Sequence, residues 1–134
     1  SRRIFLITGD GELAEGSNWE AALAAAHYGL DNLVIINDKN NLQLAGPTRE
    51  IMNTDPLADK WRAFGMAVSE CQGNDMASVV AAIEGLQQKG KPNVIIANTT
   101  KGAGISFIQG RPEWHHRVPK GEEIALALEE LKDE

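Results

Sequence analysis

Short apolar runs, separated by polar breaks that glycine often marks, divide the chain into alternating extended and helical stretches. Four runs predict buried strands: Ile4-Phe5-Leu6-Ile7, Leu33-Val34-Ile35-Ile36, a weaker Met66-Ala67-Val68, and Val94-Ile95-Ile96-Ala97. Each is β-branched or continuously apolar rather than alternating, as in a parallel sheet covered on both faces.

The intervening segments carry helical spacing. Ser17-Asn18-Trp19-Glu20 reads as a capping box, with Ser at the cap and Glu three residues on, opening a helix that runs to about Tyr28. Its five alanines (Ala21, Ala22, Ala24, Ala25, Ala26) allow another backbone to come close. Asp75 is placed to cap a second helix, with Val79, Val80, Ile83 and Leu86 on one face and an end at Gly90. Ile124, Leu128 and Leu131 stripe a third helix whose glutamates stay wet, and residues 54–63 add a short one. The order βα-β-(α)-βα-βα predicts a doubly wound α/β fold, a mainly parallel sheet with helices on both faces.

Length and composition narrow the class. A chain of 134 residues, 43% hydrophobic and 24% charged, fits a single globular domain spanning residues 1–134, or the C-terminal part of one. The first apolar run starts within three residues of Ser1, with no initiator Met, which reads as a chain cut inside a larger fold. A net charge of −6 without a basic patch argues against nucleic acid or an anionic membrane surface as partner. No apolar run nears the roughly 18 residues of a membrane span. Cys71 has no partner for an internal disulfide, which fits a reducing cytoplasm, the expected location. Its simplest role is that of a small apolar residue.

Candidate chemistry clusters where strands end, since ligands of such sheets bind beyond the carboxyl ends of the strands. The first strand runs into Gly9-Asp10-Gly11, where two glycines allow a tight turn around a carboxylate. The second ends at Asn37-Asp38-Lys39-Asn40-Asn41, rich in side-chain oxygens. One carboxylate, one amide oxygen and one backbone carbonyl, completed by phosphate oxygens and water, suit Mg²⁺. The metal would let an acidic chain hold a diphosphate. Either motif alone is commonly a surface turn; the pair, each directly after a strand, is more specific. Lys101-Gly102-Ala103-Gly104 follows the fourth strand, as a phosphate-contacting loop or a plain exit turn, and opens a long irregular stretch over residues 99–119.

Residues 9–21, Gly9-Asp10-Gly11-Glu12-Leu13-Ala14-Glu15-Gly16-Ser17-Asn18-Trp19-Glu20-Ala21, together with Asn32-Leu33 and Asp38-Lys39-Asn40-Asn41, resemble the thiamine diphosphate fingerprint. The Glu-Gly and Trp-Glu-Ala contexts are similar to transketolases, especially the N-terminal subunits of split transketolases. The similarity continues through Thr100-Lys101-Gly102-Ala103-Gly104 and Pro112-Glu113-Trp114-His115, so it covers nearly the whole chain.

This resemblance implies the thiamine diphosphate-binding fold, shortened here, with thiamine diphosphate and Mg²⁺ as cofactors. Asp10 and Asn40 would bind the metal by their side chains and Leu42 by its carbonyl. Gly9 and Gly11 would let the backbone approach the diphosphate, with Lys101 adding charge. Glu15 matches a glutamate on a carboxylate path between paired cofactors, although a solvated loop acid is the plain alternative. Glu20 matches another family glutamate, but the capping box already accounts for it. His115 matches a histidine facing cofactor and substrate, and it can donate to a phosphate or shuttle a proton. The family usually has Gly next, where this chain has His116.

The implied activity is transfer of a two-carbon ketol unit between sugar phosphates, in a homo- or hetero-oligomer. A pyrimidine-binding subunit or domain would supply the glutamate that activates the cofactor, so this chain alone should not turn over. Alternatives are the decarboxylating component of a 2-oxo acid dehydrogenase, or a non-catalytic assembly protein keeping the fold. A nicotinamide-binding Rossmann domain is disfavoured, because Gly9-Asp10-Gly11-Glu12-Leu13-Ala14 lacks the third glycine.

Overall fold

A computed structural model describes residues 2–44, 46–86 and 89–133. All four expected strands form, as β1 (Ile4–Gly9), β2 (Leu33–Lys39), β5 (Ala67–Gln72) and β6 (Asn93–Asn98). They make one parallel sheet in the order β1-β2-β6-β5. A two-residue ribbon, β3 (Leu42–Gln43) with β4 (Gly46–Pro47), follows β2; it is too short for any periodicity to announce.

Helices cover both faces, as expected for the α/β class. On one side α1 (Gly16–His27) and α3 (Leu57–Ala63) bury Leu13, Ala22, Ala25, Leu57 and Trp61 against Ile35, Val94 and Ile96. Trp19 stacks at a tilt on Trp61 and Phe64, with ring centroids 4.9 and 5.0 Å away. On the other side α4 (Met76–Glu84) lays Val79, Ala82 and Ile83 over Val34, Cys71, Ile95 and Ala97, and Leu86 joins them. Each buried aliphatic side chain contributes about 1.5–3 kcal/mol, so the centre of the sheet carries most of the stability. No helix among the described residues is long and apolar enough to cross a membrane.

Several local expectations change. The capping box at Ser17 does not form: α1 starts at Gly16 behind Glu15, and no side chain caps it. The preceding turn is fastened instead by Trp19 Nε1 donating to the Leu13 carbonyl (2.8 Å) and Asn18 Nδ2 to that of Glu12 (2.8 Å). Glu20 is therefore an exposed helix residue with no capping role. Asp75 does cap α4, accepting from Ala77 N at 3.0 Å, but α4 ends at Glu84 rather than near Gly90, and Val80 is exposed. A four-residue α2 (Thr48–Ile51) precedes α3. In α5 (Glu122–Glu130) Ala127 is the buried residue, while Ile124 and Leu128 are exposed and Leu131, just beyond, is also exposed.

The largest departure is β1. Its apolar run predicts burial, yet Ile4, Phe5, Leu6 and Ile7 are 56, 48, 47 and 70% exposed. β1 is an edge of the sheet, with β2 on one side only. Its register places Phe5 and Ile7 beside Val34 and Ile36, on the face α4 covers over the central strands, and Ile4 and Leu6 on the opposite face. Neither layer of helices extends far enough to cover it.

Candidate functional site

The carboxyl ends of β1, β2 and β6 open onto a cavity of about 460 Å³. Gly9, Asp10, Gly11, Glu15, Asn40, Leu42, Lys101 and His115 all line it, so every site residue expected from the sequence reaches one place. Glu12, Asp38, Gln43 and Leu44 also line it, and none of them is an expected metal or cofactor ligand. Asp38 and Glu12 stand within the two motifs the sequence singles out; Gln43 and Leu44 give no separate signal.

Asp10 is the centre of this arrangement. Its backbone N–H donates to the Asp38 carbonyl (3.0 Å), extending the β1–β2 ladder into the turn. Its carboxylate accepts from Gly11 N (2.9 Å) and Asn41 N (2.7 Å). The second contact depends on Asn41 holding φ +60°, a left-handed conformation that asparagine tolerates better than most residues. Asp10 is 2% exposed. Burial pushes its carboxyl above the ordinary aspartate range, and the charge of Asp38 adds to that, against the lowering pull of the two N–H donors. A buried carboxylate in this condition is a good seat for a cation, because the metal offsets the lost hydration.

Asn40 folds back on its own turn: its Oδ1 accepts from Leu42 N (2.9 Å) and its Nδ2 donates to Asp38 Oδ2 (3.2 Å). Asp38 Oδ1 also accepts from the Thr99 hydroxyl, which ties the ends of β2 and β6 together. Each oxygen of Asp10 and Asn40 retains lone-pair capacity beyond these bonds. Below, Asn37 Nδ2 donates to the Thr8 carbonyl and hydroxyl (3.2 and 3.3 Å), while Asn37 Oδ1 is buried with no partner among the described residues.

The glycines of the first turn differ from expectation. Gly11 has φ −67°, open to any residue, so the turn itself does not require it. Its constraint is packing: an added Cβ would meet Gln43 Cβ and Cγ at 2.9 Å. At Gly9 a Cβ would meet nothing within 4 Å.

The opposite wall is the segment after β6. Residues 101–110 close on themselves through Gly110 N to the Lys101 carbonyl (2.8 Å), with Gly102 at φ +69° packed under Ile108. Trp114 anchors the next turn (Pro112–His115): it is buried, meets Phe107 edge-on, and carries the Arg117 guanidinium 4.1 Å over its ring. That anchor presents His115, whose Nδ1 lies 3.5 Å from Lys101 Nζ. Glu15 lines the cavity from the start of α1 as an exposed acid.

No trio of His, Cys, Asp or Glu converges as a metal cage among the described residues. Asp10, Asn40 and Leu42 instead line the cavity together, and their carboxylate, amide and carbonyl oxygens are of the hard-ligand type.

Residues 1–132 match the family model described as the transketolase thiamine diphosphate binding domain. The chain belongs to the transketolase family. It is 73% identical over 133 residues to one of the subunits of apulose-4-phosphate transketolase from Actinobacillus succinogenes, covering 99% of this chain and 48% of that protein. It is 42% identical over 132 residues to the 6-deoxy-6-sulfo-D-fructose transketolase subunit SqwG of a Clostridium species, covering 98% of this chain and 48% of that protein. Among solved structures, transketolase from Campylobacter jejuni superposes with a TM-score of 0.86 at 32% identity, over 96% of this chain and 20% of that one. The chain thus spans about half the length of these subunit relatives. Membership of the transketolase family sets aside the nicotinamide-binding reading, in line with the missing third glycine.

Proposed function

We propose that this chain forms part of a transketolase-type subunit and holds Mg²⁺ and the diphosphate end of thiamine diphosphate, for two-carbon ketol transfer between sugar phosphates. The observation that carries this reading is the convergence of Asp10, Asn40, Leu42, Lys101 and His115 on one cavity at the strand ends, in a chain of this family.

The cofactor, when bound, supplies the chemistry that cleaves and forms the carbon–carbon bond. This chain's residues position and balance charge. Asp10, Asn40 Oδ1 and the Leu42 carbonyl would hold the metal. Lys101 would add a positive charge on the diphosphate side. His115, held beside Lys101, would donate a proton or a hydrogen bond to an oxygen on the substrate or cofactor. Glu15 would form part of a carboxylate contact across the interface to a second polypeptide. Relatives named as lettered subunits of a transketolase imply such a partner, which would supply the group that activates the pyrimidine ring. The names of the relatives make apulose 4-phosphate the first donor to assay with the complete enzyme.

Calorimetry with thiamine diphosphate, with and without Mg²⁺, tests the reading. Binding should require the metal and be lost in Asp10→Ala, with Asn40→Ala weakening it and leaving the fold intact by circular dichroism. Metal-independent binding, or unchanged affinity in Asp10→Ala, would overturn it.

A further inference from the structure

The apolar run of β2 stops one residue short of the most deeply buried position in that strand. Asn37 is 0% exposed, against 1% for Val34 and 5% for Ile35. In register it lies between Thr8 of β1 and Ile96 of β6. Strand alternation puts it on the face of Ile35, where α1 and α3 pack. By burial alone an aliphatic side chain would suit this place. The amide is only partly satisfied there: Nδ2 donates to the Thr8 carbonyl and hydroxyl, while Oδ1 has no partner among the described residues. A buried acceptor left unpaired lowers stability, so packing is a poor account of this residue.

Where its bonds go gives a better one. Thr8 stands two residues before Asp10, on an edge strand whose place in the sheet is set by β2 alone. Asn37 therefore fastens the end of β1 from inside the sheet, directly before the Gly9-Asp10-Gly11 turn. A carboxylate ligand binds a metal tightly only when it is held close to its productive position, and the groups behind it do that holding. Resting on the metal and diphosphate reading above, we propose that Asn37 is a positioning residue that fixes the Asp10 carboxylate for the cation, at a cost in stability. Asn37 does not line the cavity and acts on the metal only through Thr8 and the turn.

The test is Asn37→Leu, a near-isosteric change, in the full chain. Urea unfolding without ligands should give a midpoint equal to or above that of the wild type, because the unpaired oxygen is gone. Calorimetry with thiamine diphosphate at a series of Mg²⁺ concentrations should show the half-saturating Mg²⁺ raised about fivefold or more. Amide hydrogen exchange at Asp10, whose N–H donates to the Asp38 carbonyl, should quicken about fivefold or more, while that of Val94, Ile95 and Ile96 in β6 does not. A variant less stable than the wild type, or unfolded, would make Asn37 a structural bond and overturn the proposal. An unchanged Mg²⁺ dependence, or wild-type exchange at Asp10, would overturn it too. A wild-type chain that binds thiamine diphosphate without the metal, or does not bind it at all, would instead sink the cofactor reading on which the proposal rests.

Discussion

β6 and β1 are both parallel, apolar strands that end at the same cavity, and they occupy opposite physical situations. Val94 and Ile95 of β6 are fully buried between two strands and two layers of helices, while Ile7 of β1 is 70% exposed. One strand therefore anchors the site's floor in the core. The other holds Asp10 through a single neighbour, by the β1–β2 ladder and the bond from Asp10 N to the Asp38 carbonyl. An apolar run announces that a strand wants cover; whether it receives any depends on its place in the sheet. Chains of this family about twice as long have more polypeptide from which such cover could come.

The comparison can be broken by truncation. Ile95→Ala should cost about 2–5 kcal/mol in urea unfolding, because it leaves a cavity among Val34, Cys71 and Ala97. Ile7→Ala should cost under about 0.5 kcal/mol, since little of that side chain leaves water on folding. Similar losses at the two positions would show that the outer side of β1 is covered in solution.

The same contrast explains what can be read from the sequence. Strand starts emerge within a residue, because a continuously apolar run is a local signal, whereas β2 and β5 run three and four residues past their apolar runs. The exposure of β1 is hidden from such a reading, because burial is a property of neighbours. The site's members are legible because Asp10, Asn40 and Lys101 lie directly after strands, where a parallel sheet gathers them. The contributions of Gln43 and Leu44 are not. They follow from the way β2 turns into the β3–β4 ribbon, a two-residue pairing with no period to detect. The capping box at Ser17 fails for a related reason: Trp19 and Asn18 fasten the preceding turn directly, and the helix begins two residues earlier, with Glu15 in the cap position.

A second prediction concerns the joint between the exits of β1 and β2. Gly11→Ala should destabilise the chain by about 1–3 kcal/mol, because the new methyl would sit 2.9 Å from Gln43 Cβ and Cγ. Gln43→Gly in the same chain should recover most of that loss, a coupling visible in a double-mutant cycle. Additive effects would mean that the cofactor approach, rather than this packing, is what requires a glycine at position 11.

The smallest effect is also the most diagnostic of charge. Asp10 and Asp55 flank the end of β2 and shift in opposite directions. The Asp10 carboxyl is raised by burial and by Asp38, so its contribution to stability is fully present below the unfolded aspartate pKa and is lost as pH rises through its folded value. Asp55 is lowered by its hydrogen bond and ion pair with Lys39, at 2.8 Å. Its contribution is present above the unfolded pKa and is lost as pH falls through the folded one. With Asp55 48% exposed, Lys39→Met should cost only about 0.2–0.5 kcal/mol at neutral pH and nothing at pH well below the aspartate range. Mg²⁺ with thiamine diphosphate should flatten the Asp10 limb of the stability profile and leave the Asp55 limb where it was. Thermal unfolding from strongly acidic to neutral pH, with and without the ligands, would read both limbs. A profile in which the ligands move the acid limb instead would place the cation nearer Asp55 than Asp10.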